Sequence, residues 1–336
     1  MTLFLRFPFP LSGAFLLLLL LSACGADVPD AGTTEPAAAP VPRPEAKPVP
    51  RFVADSAYAY VAAQVAFGPR VMNTAAHDAA GAWLINKLES FGAEVTRQDF
   101  TATAYDGTTL KSFNIIARYN PDLTDRVLLA AHWDTRHVAD SPLETDPGAV
   151  VEGADDGGSG VGVLLEIARQ LGASTPYIGV DIVLFDAEDY GDSGQLDSWG
   201  LGAQYYSRNL PPNRPRYGIL LDMVGAKDAR FAQELVSLNS APQIVDKVWN
   251  LAERMNYGTY FPKIQGKGVT DDHYFVNTIA RIPMIDIINY RADTETGFVA
   301  HWHTGDDGLD VIDRNTLQAV GQVVLAVVYR EAAGTL

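Results

Sequence analysis

Between Gly179 and Gly191 the chain reads GVDIVLFDAEDYG. The near-continuous apolar run Ile182–Phe185 stops at Asp186 and is followed by two adjacent carboxylates, Glu188 and Asp189. An apolar run of that length, closed by turn residues, predicts a strand buried on both faces of a parallel sheet. The carboxylates then lie beyond the strand's carboxyl end, the edge of an open α/β sheet where ligands bind because the loops leaving the strands converge there. Adjacent residues of a regular strand point to opposite faces, so Glu188 and Asp189 converge on one site only if the chain turns after Asp186. One of them can then hold a metal while the other handles a proton. An acidic loop with no chemistry is the plain alternative.

The rest of the chain supplies partners for that strand. Ala54–Phe67 and Ala75–Phe91 carry apolar residues at helical spacing, with Gly92 as a stop. Glu94–Thr103 and Ser112–Tyr119 are rich in Val, Phe, Thr and Ile and flank Asp106-Gly107, a hairpin signal. Arg126–Ala131 is a short apolar strand that delivers His132, Trp133 and Asp134 to its end, and a polar insertion, Arg136–Glu152, follows. Next come Gly153-Ala154-Asp155-Asp156-Gly157-Gly158-Ser159-Gly160 and a helix over Val161–Leu171. Glycines there let backbone approach a bound group. Two adjacent Asp before them exceed what a helix cap requires, although capping alone is common. Tyr217–Leu221, ending at Asp222, and Met284–Ile288 repeat the strand pattern, while Pro242–Met255 and Arg314–Tyr329 read as helices. Strands alternating with helices predict an α/β fold: a single domain with a mostly parallel central mixed sheet and helices on both faces.

A length of 336 residues suits one large α/β domain or two small ones. The formal net charge of −16 argues against nucleic acid as a partner, since phosphate neutralisation needs clustered Lys and Arg. The N-terminus is set apart. Arg6 precedes the apolar run Phe15–Leu21, which ends in Leu21-Ser22-Ala23-Cys24, the pattern of an export signal. Leu-Ser-Ala-Cys resembles the lipobox of bacterial lipoproteins, and Cys24 is the only cysteine of the chain. Residues 1–23 are therefore expected to be a lipoprotein-type signal, with Cys24 lipidated and the protein membrane-anchored in the cell envelope; ordinary signal-peptidase cleavage is the alternative. Residues 24–51, rich in Ala and Pro, read as an extended tether, and residues 52–336 as the folded domain.

His132, Asp156, Asp189, Asp222 and His303 all fall at predicted strand ends or in the loops beyond. Imidazoles and carboxylates are usual zinc ligands, and a catalytic zinc keeps one position open. The ordered set HxD (His132–Asp134), GADD (Gly153–Asp156), FDAED (Phe185–Asp189), LLDMVG (Leu220–Gly225) and WHT (Trp302–Thr304) resembles the M28 zinc peptidase family. Within it the chain is most similar to the animal-type glutaminyl cyclases, including their bacterial members. That finer likeness rests on Thr270-Asp271-Asp272-His273, on Trp302 before His303, on Phe298, and on Phe67-Gly68-Pro69-Arg70. It covers about Phe52 to Tyr329.

The resemblance implies one zinc per chain held by Asp156, Asp189 and His303, with Glu188 as the proton-transferring acid/base. It further implies Asp271 and Asp222 as active-site acids and Phe298 and Trp302 as aromatics of the substrate pocket. Many relatives carry Glu where Asp189 stands, a change of one methylene that leaves carboxylate ligation possible. The segment Tyr190–Trp199 does not align cleanly with the animal enzymes, and Trp199 is a candidate for a pocket tryptophan contributed there. The implied reaction converts the N-terminal Gln of peptides or proteins to pyroglutamate with release of ammonia. A zinc aminopeptidase of the same family is the rival, because His132 and Asp222 match the extra ligands of two-metal relatives. A lipoprotein that keeps the fold only to bind peptides is the remaining alternative.

Overall fold

The structure is a computed structural model that describes residues 45–291 and 293–336. The expected signal at residues 1–23, Cys24 and the tether as far as residue 44 lie outside the described residues. Six strands follow the apolar runs: β1 (Glu94–Thr103), β2 (Thr109–Tyr119), β3 (Arg126–His132), β4 (Gly179–Phe185), β5 (Gly218–Asp222) and β6 (Met284–Ile288). They form one mixed sheet in the order β1-β2-β4-β3-β5-β6. β1 and β2 make the antiparallel hairpin announced by Asp106-Gly107, and β2 pairs antiparallel with β4. The remaining pairings, β4 with β3, β3 with β5 and β5 with β6, are parallel, so the end from which the site grows is shared by four strands.

The period of two along each strand decides what covers the sheet. Val127, Leu129 and Ala131 of β3, Ile182 and Leu184 of β4, Ile219 and Leu221 of β5 and Ile285 and Ile287 of β6 join one core cluster. Against it pack α1 (Ala54–Val65), α2 (Ala75–Ser90), α3 (Gly158–Ala173), α6 (Pro242–Arg254) and α8 (Arg314–Ala333), which contribute residues such as Val61, Leu84, Ile167, Trp249 and Val324. The alternate residues, Leu128 and Ala130, Val183 and Phe185, Leu220 and Met284, join a smaller cluster on the opposite face. That face is covered by α4 (Leu201–Arg208), by α7 (Asp272–Phe275) and by the turn of π-helix Val276–Ala280. A short α5 (Leu235–Ser240) precedes α6 and is capped by Glu234, whose carboxylate accepts from the backbone of Val236 and Ser237. The apolar run of β4 is interrupted by Asp181, fully buried and paired with Arg118 at 3.0 Å and Arg126 at 2.8 Å, so the buried charge is compensated.

Boundaries differ from the expectation where a turn residue is itself hydrogen-bonded into the element. β2 starts at Thr109 instead of Ser112, because Thr108 O accepts from Ala104 N and closes the hairpin early. α3 starts at Gly158 instead of Val161: the glycines belong to the helix, and Gly160 lies so close to β5 that a Cβ there would sit 2.3 Å from Leu221 O. The two ends of the folded part meet. Phe52 is fully buried against α8, where its ring occupies the space that a side chain at Gly321 would need. Phe52 N donates to Gln322 Oε1, and Gln322 Nε2 donates back to Pro50 O.

Candidate metal centre and substrate cleft

The turn that the paired carboxylates require occurs at Ala187, whose φ is +54°. A left-handed conformation is costly for a residue with a Cβ, and it persists only where the surroundings fix it. Asp186, at the end of β4, does the fixing: its carboxylate accepts from Ala187 N at 2.9 Å and from Phe113 N at 2.8 Å, and both oxygens lie 3.0 Å from His77 Nε2. Asp134, two residues beyond β3, then accepts from Glu188 N and Asp189 N, one oxygen each at 3.2 Å. Glu188 and Asp189 are thus presented together above the strand ends. Met223, after Asp222, and His303 also have positive φ, 46° and 55°.

The glycine-rich segment places Asp156 beside them. Gly157 has φ +82°, and a Cβ on it would lie 2.7 Å from Asp134 O, so only glycine lets this loop pass so close to the end of β3. Neither Asp of the pair caps α3 through its side chain. Asp155 instead accepts from Gly225 N at 2.7 Å and meets His301 Nε2 at 3.0 Å, which ties the loops after β5 and β6 together. Asp307 holds the segment from the other side by accepting from Asp155 N and Asp156 N.

Asp156, Asp189 and His303 offer ligand atoms that all lie within 4.8 Å of one another, and all three are buried. His303 Nε2 is 3.1 Å from Asp189 Oδ1 and 3.8 Å from Asp156 Oδ2. Asp189 Oδ2 is buried and has no partner, while Oδ1 has only His303 Nε2 and, at 3.5 Å, Arg136 Nη1 beside it. A buried carboxylate oxygen without a partner is costly unless a cation takes it. Asp140 Oδ1 stands 2.8 Å from His303 Nδ1, so the Nδ1–H has an acceptor and the Nε2 lone pair is left facing the carboxylates. The donor set fits zinc, which favours imidazole and carboxylate ligands with one position left open.

His132, Asp156 and Asp222 form a second group of the same spacing, sharing Asp156 with the first. Here the imidazole is already engaged: His132 Nε2 lies 3.0 Å from Asp156 Oδ1 and 3.2 Å from Asp222 Oδ1. Burial works against a charged His132, but the hydrogen bonds to Asp134, Asp156 and Asp222 outweigh it and raise its pKa well above the usual imidazole range. Burial pushes Asp222 up to about 8. Burial, and then the neighbouring Asp271, likewise push Glu188 well above the usual carboxylate range. A cation held by Asp189 acts in the opposite sense on Glu188.

These groups line one cleft of about 530 Å³, within the range of small-molecule sites. Its floor is Asp156, Glu188, Asp189, Asp222, Asp271 and His303, and its walls include Trp199, Phe298 and Trp302. Trp302 stacks on the His303 ring with centroids 3.8 Å apart, and Phe298 packs on Trp302 at 4.8 Å. Trp199 faces them, 6.3 Å from His303, with its indole N–H donated to Asp192 O. Every residue named from the sequence as a ligand, acid/base or pocket aromatic borders this cleft except His132, which lies behind Asp156 and Asp222. Of Thr270–His273, only Thr270 and Asp271 reach it; Asp272 and His273 are fully buried, and His273 Nε2 meets Glu234 at 3.1 Å. The sequence reading missed Tyr290, Met223 and Ile288 in the wall, as well as Asp140 behind His303. The apolar strand that ends at Ile288 was visible, but which of its end residues would face a cavity was not.

Residues 114–328 match the model of peptidase family M28. A Zn-dependent exopeptidase from Parabacteroides distasonis is similar at 53% identity, over 84% of this chain and 99% of that one, with a TM-score of 0.82. Porphyromonas gingivalis glutaminyl cyclase is similar at 50% identity, over 83% of this chain and 98% of that one, with a TM-score of 0.80. The glutaminyl-peptide cyclotransferase of Drosophila melanogaster is 23% identical over 76% of this chain and 75% of its own length. Two further bacterial relatives, at 35% and 30% identity, are spanned over only 39% and 50% of their lengths, the second being an aminopeptidase of Bacillus subtilis.

Proposed function

Because the chain belongs to peptidase family M28 and places one acid beside a metal-binding trio inside an aromatic cleft, we propose that it is a glutaminyl-peptide cyclotransferase. Asp156, Asp189 and His303 hold a single zinc in this reading, and His132 takes the place of a second one. The observation that carries it is the asymmetry of the two donor groups: Asp189 Oδ2 is buried without any partner, whereas His132 Nε2 already bridges Asp156 and Asp222. Zinc, when bound, supplies a Lewis acid for the γ-amide carbonyl of an N-terminal Gln. The walls of Trp199, Phe298 and Trp302 enclose the Gln side chain and exclude water that would otherwise hydrolyse the amide. Glu188 removes a proton from the substrate's α-amine as that nitrogen attacks the γ-amide carbon, and returns it to the departing nitrogen, which leaves as ammonia. A new carbon–nitrogen bond closes the five-membered ring as the amide bond breaks. Asp271 and Asp222, on the same floor, can accept hydrogen bonds from the α-amine and hold it in line. The reaction is intramolecular, so holding the amine in line contributes an effect that can reach about 7–11 kcal/mol.

The mature protein is expected to release ammonia from peptides beginning with Gln and to leave Leu-anilide substrates nearly untouched. The second reading, a zinc aminopeptidase, draws on the His132, Asp156, Asp222 spacing, which suits a further ion. Rapid amine release from Leu-anilide, with two zinc ions per chain and no cyclisation of Gln peptides, would assign the chain to that activity instead.

We place the enzyme at the cell envelope, tethered through a lipidated Cys24; the lipobox-like Leu-Ser-Ala-Cys after an apolar run and the lack of any other cysteine support this. Among the described residues no helix is long and apolar enough to cross a membrane. Cys24→Ser is expected to move the protein from the membrane to the soluble fraction of cells; a variant that stays as firmly membrane-bound as the parent rejects the anchor.

A further inference from the structure

The polar insertion between β3 and the glycine-rich segment was left without a role by the sequence, yet its first residues reach the metal-binding trio from behind. Arg136 is buried, and its guanidinium makes four contacts at once. Nη1 donates to Asp189 O at 2.8 Å and to Gly191 O at 2.9 Å, which fixes the backbone that carries Asp189. Nε and Nη2 grip Asp140 with two parallel hydrogen bonds, 3.1 and 2.5 Å long. Asp140 in turn accepts the Nδ1–H of His303, and Ser141 N donates to His303 O at 3.2 Å. His303 sits in the left-handed region, so both its ring and its strained backbone are fixed from the 140–141 turn. The guanidinium also lies 5.0 Å from the ring centre of Trp199, in the opposite wall of the cleft.

We infer that Arg136 and Asp140 act as one positioning clamp that sets how tightly and in what orientation Asp189 and His303 hold the metal. The chemistry requires each part. His303 can present Nε2 as a ligand only if its proton sits on Nδ1, and a charged acceptor at Nδ1 both selects that tautomer and makes Nε2 a better donor. Asp140 is about half exposed on its side chain, so without the fork of Arg136 only the single bond to His303 Nδ1 would hold it inward against water. A lysine cannot do this, because a single ammonium cannot satisfy the backbone oxygens of Asp189 and Gly191 while gripping both oxygens of Asp140. The inference rests on the metal assignment of the preceding section but not on which reaction follows, since a peptidase would need the same clamp.

The test measures zinc rather than turnover. Parent protein, Asp140→Asn, Asp140→Ala, Arg136→Lys and Arg136→Met would be loaded with zinc, and metal transfer to a chelating dye would give the affinity and release rate. Melting temperatures would be taken with and without zinc. Each variant is expected to bind zinc about 10- to 100-fold more weakly than the parent, with Asp140→Asn, which keeps shape and one acceptor oxygen, losing least. Metal-free melting temperatures should stay near that of the parent in the Asp140 variants and fall in the Arg136 variants, whose buried partners lose their donor, while the rise caused by zinc shrinks in all of them. Arg136→Met combined with Asp140→Ala should be no worse than the poorer single variant, as expected for one unit. Parent-like zinc affinity in the folded Asp140→Asn and Arg136→Lys proteins, or a lower metal-free melting temperature as the sole change, overturns the clamp. A parent that holds no zinc overturns the metal assignment together with it, whereas a parent that holds zinc but cyclises nothing overturns only the proposed reaction.

Discussion

Glu188→Gln is expected to lower the rate of ammonia release by about 10²–10⁴-fold while the purified protein keeps its zinc. The substitution preserves size, polarity and the backbone hydrogen bond from residue 188 to Asp134, so the turn at Ala187 has no reason to move. Only the capacity to take and return a proton is lost. Glu188 is not a member of the donor trio, and burial together with Asp271 already disfavours its charge, so folding should be unharmed or slightly improved. Zinc analysis and an ammonia assay on the same preparation check the result. A variant that loses its metal, or one that keeps parental turnover, removes Glu188 from the proton-transfer role.

Asp189→Ala is expected to fail differently. It deletes the buried carboxylate that faces Asp156 and His303, leaving those two as a two-ligand site, so zinc should be lost on dialysis or become labile. Turnover should fall at least as far as in Glu188→Gln, and excess zinc should restore part of it, whereas no amount of zinc should rescue Glu188→Gln. Arg136 would meanwhile lose the carboxylate 3.5 Å from its Nη1, although its bonds to main-chain oxygens remain. Zinc retained in Asp189→Ala but missing from Glu188→Gln would exchange the roles of the two neighbours.

The difference between these neighbours was half legible in the sequence. That the run ending at Phe185 would be a buried strand came from its unbroken apolar length and the turn residues after it, and that a turn must follow Asp186 for both acids to converge came from the period of two along a strand. Which residue makes the turn did not, because alanine is not a residue that announces a left-handed conformation, and its stabilisation comes from Phe113 N and His77 in distant elements. The donor trio and the aromatics that line the cleft were reached through a resemblance carried by an ordered series of short motifs, and the structure brings them together. Asp140 was not: its partner His303 lies 163 positions away, and one acid among several in a polar insertion carries no local signal. The helices α4 and α5 escaped for a related reason. They have eight and six residues, about two turns of helix, too few for an apolar period to emerge from noise. Conversely Asp272 and His273, prominent in the sequence, serve the wall behind the cleft rather than its lining.

The seat of Phe52 against Gly321 bears on how such a molecule is made. Val61 and Ala57 of α1 already have Gly162 of α3 to pack on, but Phe52, close to the start of the folded part, finds its seat only on the last helix, so this corner of the core stays open until α8 has followed. Closing so long a loop is slow, and a chain in that state is prone to stick to others of its kind. A ring that locks last therefore makes the finished chain, and not its first half, the unit that can close this core.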